Sequence, residues 1–204
     1  MRYSDTHKQE TRAKVLKAAA RQIRSRGPSG VSVADVMSEA GLTHGGFYAH
    51  FASKDELVGA AIDHAFSDRR AKLRAATEGL GDAAYLANLV DAYVSAAHRD
   101  RPERGCPITT LTTELPRQAR PAREAFDSGV KSLIEGIAAR LTVGDPETRQ
   151  ALAGSLVAEM AGAVSLARAV SDPALSDALL EQTRRSVRAR MGLPPSSPEQ
   201  GVTP

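Results

Sequence analysis

Hydrophobic positions recur at three- and four-residue spacing in segment after segment, so the chain reads as all-helical, with about nine helices. The first runs from Asp5 or Thr6 to Arg26 and stops at Gly27-Pro28. Val15, Leu16, Ala19 and Ile23 form its inner face, and Lys8, Arg12, Lys14, Lys17, Arg21 and Arg24 ring the rest. Next come Val33, Val36, Met37 and Ala40, at i, i+3, i+4 and i+7. Ser32 is placed to cap this helix, Asp35 sits at the capping-box position, and Gly41 supplies the left-handed stop. Leu42 turns inward, Thr43 is a good N-cap, and a second short helix runs from His44 to about Ala49. Ser53 and Glu56 form a capping box for a long helix carrying Leu57, Val58, Ala61, Ile62, Ala65 and Phe66, which continues to the Gly79–Gly81 break.

From Asp82 the same periodicity describes a second helical region. Leu86, Leu89, Val90, Tyr93, Val94 and Ala97 make one amphipathic stripe, broken by the loop His98–Gly105. Cys106-Pro107 opens the next helix, with Ile108, Leu111 and Leu115 inward. Helices over about 121–141, 147–170 and 173–191 follow, and a Pro/Ser/Gly-rich tail, 192–204, is expected to be disordered. The helix over 147–170 has two usable faces. Leu152, Leu156, Val157, Met160 and Val164 form one, and Gly154, Ala158, Ala161, Gly162, Ser165 and Ala169 form a second made of small residues.

Helix, tight Gly-containing turn, helix over residues 32–51 is the layout of a DNA-binding helix-turn-helix. The residues Gly41 to Leu57, GLTHGGFYAHFASKDEL, carry more than layout. Gly41, Thr43, Gly45, Phe47, Tyr48, His50, Phe51, Lys54 and Leu57 match the recognition-helix signature, and the segment resembles the tetracycline-repressor (TetR) family of bacterial transcription regulators. The chain departs from that pattern at Gly46, where Ser, Thr or Ala is commoner, and at Ala49, often larger. GCPITTLTTEL, from Gly105, is also similar to a Gly-Cys segment found in some members.

The resemblance implies a DNA-binding domain over 1–52, an effector-binding and dimerisation domain over 53–191, and a connector helix between them. Tyr48, His50 and Lys54 are expected on phosphates, which set register. Thr43, His44, Gly46 and Ala49 are expected in the groove, where a hydroxyl, an imidazole and two small surfaces meet base edges, and Gly45 is a further DNA-binding candidate. Glycines inside a short helix each cost about 0.8–1 kcal/mol relative to Ala, so Gly45-Gly46 implies close backbone approach to DNA. Lys54 opposes the positive end of its own helix, which makes sense if a phosphate sits there.

The resemblance also places an effector cavity in the second domain, with Tyr93, Cys106, Thr109, Thr110, Thr113, Phe126 and Met160 as candidate lining for a largely apolar small molecule. Binding there is expected to shift the connector helix and release a double-stranded operator. An alternative keeps the repressor but makes Cys106 the sensor. It stands just before a helix N-terminus and two residues from Arg104, both of which favour a reactive thiolate. The small-residue face predicts a homodimer in which the last two helices pair with their symmetry mates, with Gly154, Ala158, Ala161, Gly162, Ser165, Leu180 and Val187 as interface candidates.

Charge sharpens this picture. Residues 1–60 hold nine Lys/Arg against six Asp/Glu, while residues 61–204 hold eighteen of each. Within residues 1–26 the count is eight to two, so the positive field belongs to the N-terminal region, as contact with phosphates requires. No run of 18 apolar residues occurs, the N-terminus is polar, and there is one cysteine, so a cytoplasmic protein without a membrane span is expected. The five histidines show no metal-ligand spacing, and no P-loop, dinucleotide fingerprint or nucleophile elbow is present. No metal or cofactor is expected. Glu56 with Asp63, or Glu114 with Asp127, are the acid pairs an enzyme would draw on, but nothing in their spacing selects them. An enzyme or a helical adaptor is therefore the remote reading.

Overall fold

The structure, a computed structural model, describes residues 5–194. Those residues form nine α-helices and three short 3-10 segments, with no strand among them. The helices are α1 (Asp5–Arg26), α2 (Val33–Glu39), α3 (Lys54–Ala76), α4 (Asp82–Tyr93), α5 (Ala96–Asp100), α6 (Ile108–Leu111), α7 (Arg120–Ala138), α8 (Pro146–Ala169) and α9 (Pro173–Arg190). The 3-10 segments are His44–Ala49, Pro102–Arg104 and Leu115–Arg117. Two compact units result. One takes the chain up to Lys72 with Arg101–Lys131, the other Leu73–Asp100 with the chain from Ser132 onward. This packing division differs from a domain boundary after residue 52, because α3 is built largely into the first unit.

The first unit closes over Val15, Ala19, Ile23, Val36, Met37, Phe47, Phe51, Leu57 and Ile62, each 2 % exposed or less. Its helix ends follow their sequence signals. Ser32 Oγ accepts the Asp35 amide, and Gly41 adopts φ +74. With Gly41 left-handed, its N–H reaches Ser38 O and the Leu42 N–H reaches Met37 O, satisfying the last carbonyls of α2. Ser53 Oγ accepts the Glu56 amide at 3.1 Å; the Glu56 carboxylate returns to the Ala52 amide at 2.7 Å, one residue before the capping-box position.

Arg24 corrects the even ring of cations expected on α1. It is 6 % exposed; its Nε donates to Glu103 O at 2.8 Å, and Nη1 lies 3.5 Å from Asp68. Burial lowers its pKa, and Asp68 acts in the opposite direction. Arg21, on the outer face, pairs instead with Glu39 of α2 at 2.7 Å. Deeper in the unit Phe66 of α3 meets Phe126 of α7 edge-on, and it fills the space where a side chain at Gly129 would stand.

The second unit is built on the α8–α9 pair, with Leu86, Leu89, Val90, Ile137, Leu156, Met160, Val164 and Val187 buried between its helices. The single helix expected over 82–97 is broken. α4 ends at Val94 (ψ 71), Ser95 Oγ caps α5, and His98 Nδ1 donates to Tyr93 O at 2.6 Å. Arg168 of α8 supplies the reason, donating to the carbonyls of Arg99 (2.9 Å) and His98 (3.0 Å) and so fixing α5 in a new direction. The helix expected from Cys106 is also shorter, one α-turn at 108–111 followed by the 115–117 turn.

At the other end, the tail expected from Gly192 starts as ordered chain. Gly192 has φ +69, Leu193 is 7 % exposed with its N–H on Arg188 O, and Arg188 Nε donates to Pro194 O. The remainder of that expected tail, 195–204, lies outside the described residues.

Candidate nucleic-acid interface

The segment His44–Ala49 is a 3-10 helix instead of the expected α-helix. Six residues with two adjacent glycines gain little from α-helical bonding, and 3-10 geometry is common in such short pieces. The change has a consequence for presentation. At three residues per turn, Thr43, Gly46 and Ala49 align along one edge. Thr43 and Ala49 are exposed there and Gly46 is half-buried. Thr43 occupies the N-cap position, but its hydroxyl makes no cap hydrogen bond. His44 and Gly45 are exposed beside this edge.

Neither glycine is required by the chain itself. A Cβ on Gly45 would meet nothing within 4 Å, and one on Gly46 would make only an ordinary 3.6 Å contact with Met37 Cε. Neither has positive φ. Packing and backbone conformation therefore leave room for a side chain at both positions.

The aromatic residues divide by burial. Phe47 and Phe51 are 2 % exposed and stacked at 5.8 Å, which fixes the segment on the core. Tyr48 packs edge-on to Phe47 and is 74 % exposed, the largest such value among the exposed large hydrophobics of the described residues. His50 is half-buried, and its Nδ1 is buried with no hydrogen-bond partner in the chain. Burial holds its pKa below the ordinary histidine value, and Lys8 and Arg12 of α1 lower it further. Arg12 also lies over the Phe51 ring at 4.9 Å.

Sequence reasoning counted Lys8 and Arg12 only as part of a basic helix. The structure brings them to His50 and Phe51, so α1 adds two cations to the surface that holds Tyr48. Their spacing, one helical turn apart near the start of α1, was the available signal. Lys54 is exposed in the first turn of α3.

Comparison with known proteins decides what this surface belongs to. Residues 15–61 match the family model "Bacterial regulatory proteins, tetR family", and residues 83–182 match "Transcriptional regulator LmrA/YxaF-like, C-terminal domain". Together these matches span more than two thirds of the chain.

The chain belongs to the TetR family.

The HTH-type transcriptional repressor Rv3405c of Mycobacterium tuberculosis is 39 % identical over 59 residues, 29 % of this chain and 31 % of that protein. The chain thus spans about a third of the mycobacterial relatives it matches. An HTH-type transcriptional regulator in the lacX 3′ region of Lactococcus lactis is 28 % identical over 171 residues, covering 79 % of this chain and 85 % of its own. Among solved structures, a TetR regulator from Chloroflexus aurantiacus is 26 % identical with TM-score 0.71, covering 90 % of this chain and 95 % of that one. Escherichia coli NemR in its reduced form is 20 % identical with TM-score 0.72, covering 88 % and 96 %, and shows the shared fold. Within that family, residues 15–61 are the matched regulatory-protein region and residues 83–182 the matched C-terminal domain.

The effector candidates of this TetR-family chain fall in both units. Tyr93 and Met160 are buried in the second; Cys106, Thr109, Thr110, Thr113 and Phe126 lie in the first. Thr109 is 8 % exposed and its hydroxyl is spent on Cys106 O, whereas Thr113 is exposed. The first unit contains an open cleft of about 470 Å³, lined by residues of the 112–116 turn and by Arg120, Arg123, Glu124, Phe126 and Asp127 of α7. Of the expected lining, only Phe126 reaches it.

Cys106 is 2 % exposed, and the helix it precedes is a single turn with little dipole to offer a thiolate. Arg104 is an exposed residue 3.9 Å from Glu103; the cation that interacts electrostatically with the thiol is the buried Arg24.

The interface candidates also separate. Leu180 (4 % exposed), Val187 (0 %) and Ala161 (8 %) are buried inside the subunit. Gly154 faces Ile134 at 3.9 Å, and Ser165 is half-buried. What α8 does expose is a straight stripe of Ala151, Ser155, Ala158, Gly162, Leu166 and Ala169, spaced by three and four residues and free of charge. α8 is the one described helix long and apolar enough to cross a membrane by length and composition, and only 39 % of its apolar window is buried within the chain.

Proposed function

We propose that this TetR-family regulator is a homodimeric, effector-released repressor that acts in the cytoplasm. It reads its operator with Thr43, His44, Gly45, Gly46 and Ala49 and grips phosphates with Tyr48, His50 and Lys54. The observation that carries the reading is the 44–49 segment itself. It has two glycines with no internal need to be glycine, set beside an exposed tyrosine and the cations of Lys8 and Arg12, with Lys54 exposed in the first turn of α3. Backbone brought close to base edges requires that absence of side chains, and the surrounding positive charge fits a phosphate partner.

The α8 stripe supports the dimer. An exposed uncharged row of five small residues and Leu166 lets a second helix approach closely, and a second copy supplies the cover that the apolar window lacks. The reversible-ligand reading is preferred to a Cys106 sensor because the thiol is buried. Burial restricts access by oxidants and electrophiles.

Selection of bound duplexes from a random library, followed by binding at two salt concentrations, tests the proposal. Tyr48→Phe, His50→Ala and Lys54→Ala are expected to weaken binding to every sequence and to flatten the salt dependence. Changes at Thr43, Gly46 or Ala49 are expected to alter preference by about 1–3 kcal/mol per base contact. Failure to select any duplex would overturn the reading.

A further inference from the structure

The segment from Glu103 to Gln118 grips the end of α1 and the turn leading to α2. Glu103 O accepts Arg24 Nε at 2.8 Å. Glu114 lies against Gly27 so closely that a Cβ on residue 27 would stand 2.0 Å from its Oε1. The same carboxylate accepts the Ser29 amide through Oε2 at 3.3 Å, and Gln118 Nε2 donates to Ser29 Oγ at 3.2 Å. Three consecutive parts of the turn, at 24, 27 and 29, are therefore held by one short stretch of chain. Gly27 has φ +75, so the turn that receives this carboxylate is closed by a residue with neither a side-chain obstacle nor a left-handed penalty.

The residues that flank Glu114 face elsewhere. Thr112, Leu115 and Pro116 line the open cleft, whose other wall is Arg120, Arg123, Glu124, Phe126 and Asp127. The cleft and the α1–α2 turn thus share one wall, and Glu114 is the residue of that wall that touches the turn.

We propose that Glu114 is a positioning residue that couples the state of the 112–116 cleft wall to the setting of the α1–α2 turn, and through α2 to the DNA-reading edge. This rests on the ligand-responsive DNA-binding reading above. A ligand that moves this wall moves the carboxylate off Gly27 and Ser29, while one that leaves it in place has no effect on the head. Coupling between two sites is reciprocal, so DNA on the head alters the wall in turn.

Reciprocity allows a test without knowing the effector. Hydrogen exchange of the full-length protein is measured with and without a duplex selected from a random library. In the native chain the duplex slows exchange over residues 43–50 directly and over residues 112–118 remotely, the latter by about fivefold or more. Glu114→Ala keeps the direct slowing and loses the remote one at an unchanged thermal midpoint. Should Glu114→Ala fail to fold, Glu114→Gln decides. It retains an acceptor for the Ser29 amide without the charge, and a reduced remote slowing supports the assignment. Remote slowing absent from the native chain, or undiminished in the variant that folds, overturns the proposal. No slowing over 43–50 in the native chain overturns the DNA-binding reading and the coupling with it.

Discussion

The reading segment at 43–49 and the exposed stripe of α8 share one property and differ in another. Both present small residues with room for more: a Cβ on Gly45 or on Gly162 would meet nothing within 4 Å. Beside the first stand Lys8 and Arg12, with Tyr48 74 % exposed. Along the second there is no charge for six successive exposed positions, and the nearest cation, Arg190 on Ser155 Oγ, is already neutralised by Glu159. Unfilled space alone says only that something approaches closely. The charge beside it separates the two proposals: a polyanion suits the first surface, a second apolar helix the other.

Filling each space is the most direct way to break the comparison. The largest expected effect is at Gly162. Gly162→Leu overpacks the stripe at about 1–3 kcal/mol in each of two symmetry-related copies, so sedimentation should show monomer where the native chain shows dimer. The fold should be as stable as before, and a dimer of undiminished strength would remove the stripe from the interface.

Gly45→Ala comes next and should separate folding from binding by sign. Relief from glycine in a helical segment stabilises the free protein by about 0.5–1 kcal/mol. The added methyl should weaken a selected duplex by about 1–3 kcal/mol, the size of one lost base contact. Equal duplex affinity for both proteins would mean that the backbone does not approach DNA here.

Lys54→Ala tests the charge half of the contrast. Losing one phosphate contact lowers the slope of log affinity against log salt by about 0.9, with little change in sequence preference. An unchanged slope would take Lys54 off the phosphate.

The smallest effect is on pH. His50 and His64 both have pKa values held below the ordinary histidine value, chiefly by burial. The unfolded chain therefore binds more protons below about pH 6.5, and stability falls as pH drops from there toward the folded-state values. Denaturant midpoints at pH 7.5 and 5.5 should show the loss, and His50→Ala together with His64→Ala should reduce it. Duplex affinity should move the opposite way. A phosphate beside His50 raises its pKa, so binding strengthens as the solution is acidified.

Much of the reading segment was legible because local chemistry decides it. Ser32, Gly41 and the Ser53–Glu56 pair each specify a helix end through bonds to their near neighbours in the chain. The family signature then placed Tyr48, His50 and Lys54. What the sequence concealed depends on distant partners. Arg24 looks like any cation on a basic helix until the Glu103 carbonyl and Asp68 surround it. The apolar stripe over 82–97 continues past Val94, yet Arg168, some seventy residues on, turns the chain there. Leu180 and Val187 had suitable spacing for an interface, but their side chains fill the interior of their own unit. The exposed face of α8 differs from the expected small-residue face by part of a turn, since small residues occur on both sides of that helix and only burial distinguishes them.

The uncharged stripe on α8 also bears on how sharply a gene would respond to this protein. With the stripe as the contact between copies, a single chain carries half of a paired operator grip. At chain concentrations below the dimer dissociation constant, the amount of competent protein rises as the square of the total, by mass action. Two identical cells differing twofold in chain number would then differ about fourfold in competent repressor. The six uncharged residues of the stripe between Ala151 and Ala169 would thereby set a threshold in protein number, adjustable by one methyl group at a time.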